Sequence, residues 1–249
     1  MQQDKAQEIA YYENYGDAID EHFDEEIYHR WFQTAGIPEA GQGRVLDAGC
    51  GSGAFGKRLA QKGFDVTGVD LSEKMASRAN HEAPDRFLAQ SGDLENSDLF
   101  AENWFDGIIF GQVLHHFPNP IQALTNCAKW IKSDGWMVIV EPNGANPVNR
   151  LGKALGGQLR KLERFEQAMG TVNEVHVTPR CLMNRLKEAG FTKVELNCIS
   201  DLGAVDEDLD LVSASLRSLM KVRSGLYEIS WRCLPKSLGA TTLIARAMK

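Results

Sequence analysis

The sequence lacks the patterns that mark metal-cluster and membrane proteins. Its five cysteines form no C-x-x-C pair, so the ligand spacing of a zinc ribbon or an iron–sulfur cluster is missing. No H-x-x-x-H occurs either, and we predict no bound metal. No apolar run reaches the ~18 residues of a membrane-spanning helix, and the first residues do not resemble a signal peptide. We therefore predict a cytoplasmic protein without a membrane partner.

The chain also has no excess of positive charge, since its 27 Lys and Arg side chains are outnumbered by 34 Asp and Glu. The formal net charge is −7, and residues 1–30 contain nine acidic side chains against Lys5 and Arg30. We interpret this acidic stretch as a solvent-exposed helix face. Surfaces that bind nucleic acids are usually basic, because they meet phosphates. The charge therefore predicts that the chain has no nucleic-acid partner.

The most informative stretch is an apolar strand that runs into a glycine-rich turn and then into a helix. Residues 45–56 read VLDAGCGSGAFG. Glycines in such a turn allow positive φ, and the helix that follows directs its unpaired N–H groups at a ligand. The letters also fit the dinucleotide pattern G-x-G-x-x-G, with Asp70 as the acid that follows it. Asp47 favours another ligand, because its carboxylate suits a cationic group better than a pyrophosphate.

This stretch resembles motif I of the class I S-adenosylmethionine-dependent methyltransferases, which reads roughly V-L-D-x-G-x-G-x-G. The resemblance rests on specific motifs over residues 40–142 and on general pattern over 178–249. It implies S-adenosylmethionine as the cofactor, S-adenosylhomocysteine as the product, and a small-molecule metabolite or natural product that is methylated on O, N or C. The alternatives are a peptide or tRNA acceptor, a non-catalytic S-adenosylmethionine-binding protein and, last, an NAD-dependent oxidoreductase.

The order of elements predicts the fold class. Strands and helices alternate, and the strands are almost continuously apolar, as in a parallel sheet that is covered on both faces. We predict an α/β, Rossmann-like, doubly wound and mostly parallel seven-stranded sheet whose last strand is antiparallel. The predicted strands are 45–48, 65–70, 86–90, 104–111, 136–142, 193–199 and 241–246. The helix that starts at Pro120 is predicted to include Ile131 and to stop at Gly135.

We predict one methyltransferase domain over residues 1–249, as a monomer or a homodimer. Its parts are a helical cap at 1–40, a cofactor-binding core at 41–142, an insertion or lid at 143–177, and the rest of the sheet at 178–249 with a helical insertion at about 203–224. The resemblance implies that the N-terminal helices cover the cofactor and the substrate mouth. Tyr12 and Tyr15 are therefore either site residues or packing aromatics.

The cofactor residues are predicted at the carboxyl ends of strands, where open parallel sheets bind ligands. Asp70 is placed to accept both ribose hydroxyls, and Leu71 to lie against the adenine. By resemblance, Asp93 binds the adenine amino group; otherwise it is a turn residue after Gly92. The full predicted set is Tyr15, Asp47, Gly49, Gly51, Gly53, Asp70, Leu71, Asp93, Leu94, Gly111 and Gln112.

Three residues are candidates for chemistry on the acceptor. His115 follows the fourth strand, and an imidazole can take a proton from a hydroxyl or an amine near neutral pH. His116 is interpreted as a structural hydrogen-bonding residue. Glu141, at the end of strand five, is either a group that orients an amine or a turn carboxylate. His176 could reach the acceptor from the predicted lid.

Overall fold

The computed structural model describes residues 5–15, 24–151, 177–201 and 225–249. Within these ranges the strands are β1 Arg44–Ala48, β2 Asp65–Asp70, β3 Phe87–Ser91, β4 Phe105–Gly111, β5 Ile131–Pro142, β6 Lys193–Ile199 and β7 Thr242–Met248. They form a seven-stranded sheet in the order β3-β2-β1-β4-β5-β7-β6. Strands β1 to β5 pair in parallel, whereas β7 is antiparallel to both of its neighbours. The predicted Rossmann-like fold is confirmed.

Helices flank this sheet and precede it. They are α1 Lys5–Tyr15, α2 Glu25–Thr34, α3 Ala54–Gln61, α4 Glu73–Asn80, α5 Pro120–Trp130, the helical residues 147–151 (α6), α7 Pro179–Glu188, the helical residues 225–233 (α8) and α9 Lys236–Gly239. None of the helices in the described ranges combines the length and the apolar character that crossing a bilayer requires. The cytoplasmic location stays a prediction.

Side chains at the helix starts explain where several helices begin. Ser72 caps α4 by accepting the Met75 N–H at 3.2 Å. Asn119 caps α5, with Pro120 at its first position, and Thr178 caps α7 in the same way. Each cap accepts a backbone N–H that has no partner inside its helix. A polar cap followed directly by proline, as at Asn119 and Thr178, is a sequence pattern typical of a helix start.

The predicted end of α5 is wrong. The helix stops at Trp130, and Ile131 already belongs to β5, where it pairs with Phe105 of β4. Trp130 and Ile131, on either side of the boundary, are both apolar and buried, so hydrophobicity alone does not mark it. The predicted lid at 143–177 falls largely outside the described residues, and the insertion at 203–224 falls entirely outside them.

Apolar cores lie on both faces of the sheet. One cluster includes Phe110, Leu124 and Trp130, and the other includes Trp31 and Phe55. The ring of Phe55 lies parallel to the indole of Trp31, with centroids 5.6 Å apart. The second cluster therefore attaches α2 and α3 to the sheet next to the glycine turn.

Replacing Gly111 with alanine is expected to destabilise the fold. A Cβ at Gly111 would lie 2.2 Å from Cδ2 of Phe55, whose ring is already packed on Trp31. Overpacking of this kind should lower the free energy of unfolding by about 2–3 kcal/mol, measured by urea denaturation. Gly225→Ala is the control, because no described atom lies within 4 Å of its added Cβ. Equal stability of Gly111→Ala and wild type would contradict this packing.

Candidate active site

The glycine turn after β1 has the backbone that the sequence predicts. Gly49, Gly51 and Gly53 have φ values of +71°, +52° and +86°. A Cβ at Gly49 would lie 2.5 Å from Val113 Cγ2, so packing requires glycine there. At Gly51 the nearest described heavy atom would be Met75 Cε at 3.9 Å. The backbone at Gly51 is therefore open to a ligand.

Two carboxylates hold this turn in place. Asp47 is almost fully buried, and its Oδ2 accepts the Gly56 N–H at 2.8 Å. Asp70 accepts the N–H groups of Gly51 and Ser72, each at 2.9 Å, on its two oxygens. Burial raises the pKa of both carboxyls, that of Asp47 to about 7, with the negative charge of Asp70 adding to the effect on Asp47.

The Asp47 carboxyl should make stability depend on pH. Its pKa rises from 3.8 to about 7 on folding, so the folded chain binds more protons than the unfolded chain between those values. The free energy of unfolding should therefore decrease as pH rises through this interval, by a fraction of the about 1.4 kcal/mol per pH unit that one proton allows. Asp47→Asn keeps an oxygen for the Gly56 N–H but cannot titrate. Urea unfolding across the interval should show a shallower slope for Asp47→Asn than for wild type; equal slopes would contradict the assignment.

An open cavity lies beside the turn, next to the residue that is predicted to contact adenine. Its volume is about 530 Å³, and its lining includes Leu71, Ser91 and, from α1, Ile9 and Glu13. Leu94 follows Asp93 directly in the sequence, and its side chain is buried. An apolar side chain, polar groups and helix α1 therefore surround this cavity at the carboxyl edge of the sheet.

Asp93 is engaged by helix α1. Its Oδ2 accepts a hydrogen bond from Lys5 Nζ at 2.7 Å, while its Oδ1 accepts the Glu95 N–H at 3.0 Å. Lys5 also forms an ion pair with Glu95 at 2.7 Å. Asp93 therefore acts as a turn residue and as an anchor for α1, and its predicted contact with adenine stays a prediction.

The end of β4 meets the glycine turn. Gln112 has φ of +58°, and its N–H donates to the Val140 carbonyl at 2.7 Å. This sharp turn after Gly111 sends Val113 against Gly49 and starts a short 3-10 helix, Leu114–His116. The predicted Gly111 and Gln112 thus lie beside the predicted glycine turn.

His115 and Glu141 form a pair at the point where β4 and β5 end. Glu141 is completely buried, and its Oε1 accepts the Leu114 N–H at 2.7 Å. Its Oε2 lies 2.8 Å from His115 Nδ1. Because a carboxylate can only accept hydrogen bonds, Nδ1 carries the proton of a neutral His115 and Nε2 does not. Glu141 therefore binds both His115 and the turn after β4, and its role in orienting an amine of the methyl acceptor stays a prediction.

His116 turns towards α1. Its Nε2 lies 3.3 Å from the Tyr12 hydroxyl, and its Nδ1 lies 3.6 Å from Glu8 Oε2. The interpretation of His116 as a hydrogen-bonding residue agrees with these contacts. His176 lies outside the described residues; Tyr15 ends α1, and its side chain lies outside them too. In the part of the chain that the structure describes, no group of three or more His, Cys, Asp or Glu could hold a metal; that no metal is needed stays a prediction.

Sequence reasoning missed the inner face of α1. Glu8 is buried, and Glu13 accepts a hydrogen bond from the Ser72 hydroxyl at 2.7 Å, so for these two acids the interpretation as a solvated face is wrong. Glu8 is buried and Glu13 is partly buried because α1 packs across the carboxyl edge instead of projecting into solvent. One signal was available, since Glu8 and Tyr12 are four residues apart and share a helix face.

Comparison with known proteins identifies the family. A family model described as "Methyltransferase domain" matches residues 5–196. The chain belongs to this methyltransferase family. It is 32% identical over 178 residues to the ubiquinone biosynthesis O-methyltransferase of Thiobacillus denitrificans, covering 67% of this chain and 71% of that one. The protein of the same name from Nitrosomonas europaea is 27% identical over 175 residues, covering 66% and 72%.

Solved structures agree on the fold of the methyltransferase. A SAM-dependent methyltransferase from Archaeoglobus fulgidus superposes with a TM-score of 0.61 at 20% identity, covering 90% of this chain and 94% of that one. Haemonchus contortus phosphoethanolamine N-methyltransferase 2, in complex with S-adenosyl-L-methionine, gives 0.63 at 18% identity, covering 90% and 52%. The family model and the relatives make the chain an S-adenosylmethionine-dependent methyltransferase, as predicted in preference to an NAD-dependent oxidoreductase, and the solved structures share its fold.

The residues at the carboxyl edge of the methyltransferase fit this cofactor. The open backbone at Gly51 allows close approach, and the Asp70 carboxylate lies next to it. The cavity beside Leu71 gives room for an adenine-sized group and has both polar and apolar lining. A ligand with a ribose and a flat ring suits these features.

Proposed function

We propose that this methyltransferase methylates a hydroxyl oxygen of a small molecule. The observation that carries the proposal is the pairing of His115 Nδ1 with the buried Glu141 carboxylate at 2.8 Å. A hydroxyl must lose its proton as its oxygen is methylated, and an oriented imidazole is suited to take that proton. A neutral amine attacks through its own lone pair and needs no base beforehand. The name O-methyltransferase of the two relatives also supports an oxygen acceptor.

We assign the cofactor to the carboxyl edge between the glycine turn and α1. S-adenosylmethionine supplies a methyl group that its positive sulfonium has already activated. Asp70 would hold the ribose hydroxyls. Leu71 and the backbone of Leu94 would contact the adenine, and Gly111 and Gln112 the methionine end. The complete proposed set is Tyr15, Asp47, Gly49, Gly51, Gly53, Asp70, Leu71, Asp93, Leu94, Gly111 and Gln112.

His115 is proposed to act as the general base. Its Nε2 would take the proton of the acceptor hydroxyl, and that oxygen would replace sulfur on the methyl carbon. The electron pair of the broken carbon–sulfur bond would stay on the sulfur of the leaving S-adenosylhomocysteine. The charge that develops on the imidazole is stabilised by Glu141, which also keeps the ring in one orientation. The proton then leaves His115 for solvent, so the base is regenerated. The rest of the contribution of the protein is alignment, which in favourable cases removes about 7–11 kcal/mol of barrier.

The acceptor class can be tested with matched probes. The enzyme is incubated with methyl-labelled S-adenosylmethionine and a panel of phenols, alcohols and amines. The panel includes a matched pair, 3,4-dihydroxybenzoate and 3,4-diaminobenzoate, in which two hydroxyl groups are replaced by two amino groups. We expect label on oxygen, located by NMR of the product. Label on the amines alone, or only in added tRNA or protein, would contradict the proposal and favour the corresponding alternative.

A further inference from the structure

Helix α1 is fixed to the carboxyl edge at three separate points. Lys5 binds Asp93 at 2.7 Å, and Glu13 accepts the Ser72 hydroxyl at 2.7 Å. The third point is the contact of the Tyr12 hydroxyl with His116 Nε2. The first two contacts hold the helix over the cavity beside Leu71. Together they present Tyr12 to the 3-10 helix that contains His115.

The ring of His116 is held from the α1 side. Tyr12 approaches Nε2 with its hydroxyl at 3.3 Å and meets the imidazole edge to face, with centroids 5.8 Å apart. Glu8 lies 3.6 Å from the other ring nitrogen. Both nitrogens of His116 therefore face groups of α1, so the angle of this ring depends on where α1 lies.

The His116 ring in turn lies against His115. The two centroids are 4.1 Å apart and the ring planes differ by 41°. Glu141 contacts His115 at Nδ1. The His116 ring adds a contact on the ring itself and limits its rotation, because two imidazoles at this distance are in van der Waals contact.

We propose that Tyr12 and His116 are positioning residues that fix the orientation of His115, and thereby couple the seating of α1 to the methyl-transfer step. Neither residue touches the reacting atoms in this account. The proposal rests on the proposed function of His115 as the base. A base that is displaced by a fraction of an ångström loses rate without any loss of cofactor binding. Among the described residues, the charged or titratable groups in contact with His116 include Glu8, Tyr12 and His115, and Glu141 lies behind His115.

The test removes the hydroxyl of Tyr12 and keeps its ring. We expect Tyr12→Phe to lower kcat about fivefold with 3,4-dihydroxybenzoate, or with the best phenolic acceptor of the panel, and to leave the KM for S-adenosylmethionine unchanged. In the protein without any ligand, the ¹⁵N chemical shifts of the His115 and His116 ring nitrogens should change. Tyr11→Phe removes a hydroxyl from the adjacent position of the same helix and should leave kcat and these shifts as in wild type.

A second variant shows whether the two residues act as one unit. His116→Phe keeps a flat ring against His115 but cannot bind the Tyr12 hydroxyl. If both act through the same contact, the double variant should be no slower than the slower single variant. Additive losses, or a Tyr12→Phe enzyme with wild-type kcat and wild-type ring shifts, would overturn the positioning role.

The two proposals fail in different ways. If His115→Ala abolishes transfer while Tyr12→Phe and His116→Phe do not affect it, the base stands and the positioning role is wrong. If His115→Ala keeps full activity, the proposed base is wrong. The ring-nitrogen shifts need no acceptor, so they test the contact from Tyr12 to His115 in either case.

Discussion

Replacing His115 with alanine should lower kcat by about 10²- to 10⁴-fold, the range that general acid–base catalysis usually contributes. The substitution removes the imidazole but leaves the glycine turn, Asp70 and the cavity beside Leu71 in place. Affinity for S-adenosylhomocysteine should therefore be unchanged in a calorimetric titration. The effect should appear in single-turnover transfer at saturating S-adenosylmethionine, where cofactor binding does not limit the rate.

The control for this variant is a histidine elsewhere on the surface. His29→Ala removes a half-exposed ring on α2, whose charged neighbour is Glu39. It should transfer methyl at the wild-type rate. If His115→Ala transfers equally fast, the assignment of the base is wrong; if it loses S-adenosylhomocysteine binding as well, His115 is part of the cofactor site instead.

Replacing Glu141 with glutamine should lower kcat by about 10²-fold or more, because it reverses the proton arrangement of His115. The amide oxygen of glutamine can still accept the Leu114 N–H, so the 3-10 helix should form. Its NH₂ group would then face Nδ1 and donate to it, which places the imidazole proton on Nε2. An imidazole that is protonated on Nε2 cannot take a proton from the acceptor through that atom.

The ring nitrogens of His115 test this explanation directly. In wild type, the ¹⁵N shifts should show the proton on Nδ1, and in Glu141→Gln they should show it on Nε2. Glu195→Gln, an exposed change on β6, is the control and should change neither the shifts nor the rate. A Glu141→Gln enzyme that keeps the wild-type rate would contradict the role of this carboxylate.

Local sequence was enough to predict the frame of the site. The glycines at 49, 51 and 53 need positive φ, and three such glycines after an apolar strand leave few other structures. The end of β2 at Asp70 was also predicted from local sequence, because the strand stops at a charged residue. Such features are determined by residues that are adjacent in the chain, so they can be predicted from the sequence.

The contacts between residues that are distant in sequence could not be predicted in this way, because they depend on which strands are neighbours in the sheet. Glu141 lies 26 positions from His115, and it reaches that ring because β5 is the neighbour of β4 in the sheet. Both residues were predicted as site candidates, but Glu141 was expected either to orient an amine or to be a turn carboxylate, and its pairing with His115 was not predicted. The inner face of α1 was missed because its acids resemble a solvated surface until the helix is packed on the sheet edge.

The most direct test of the central claim is chemical rescue of His115→Ala by free imidazole, in single-turnover transfer from methyl-labelled S-adenosylmethionine to the best phenolic acceptor. If a base at this position removes the hydroxyl proton, imidazole should restore part of the rate in a saturable way and should not accelerate wild type. A His115→Ala enzyme that transfers the methyl group at the wild-type rate without imidazole would contradict the account.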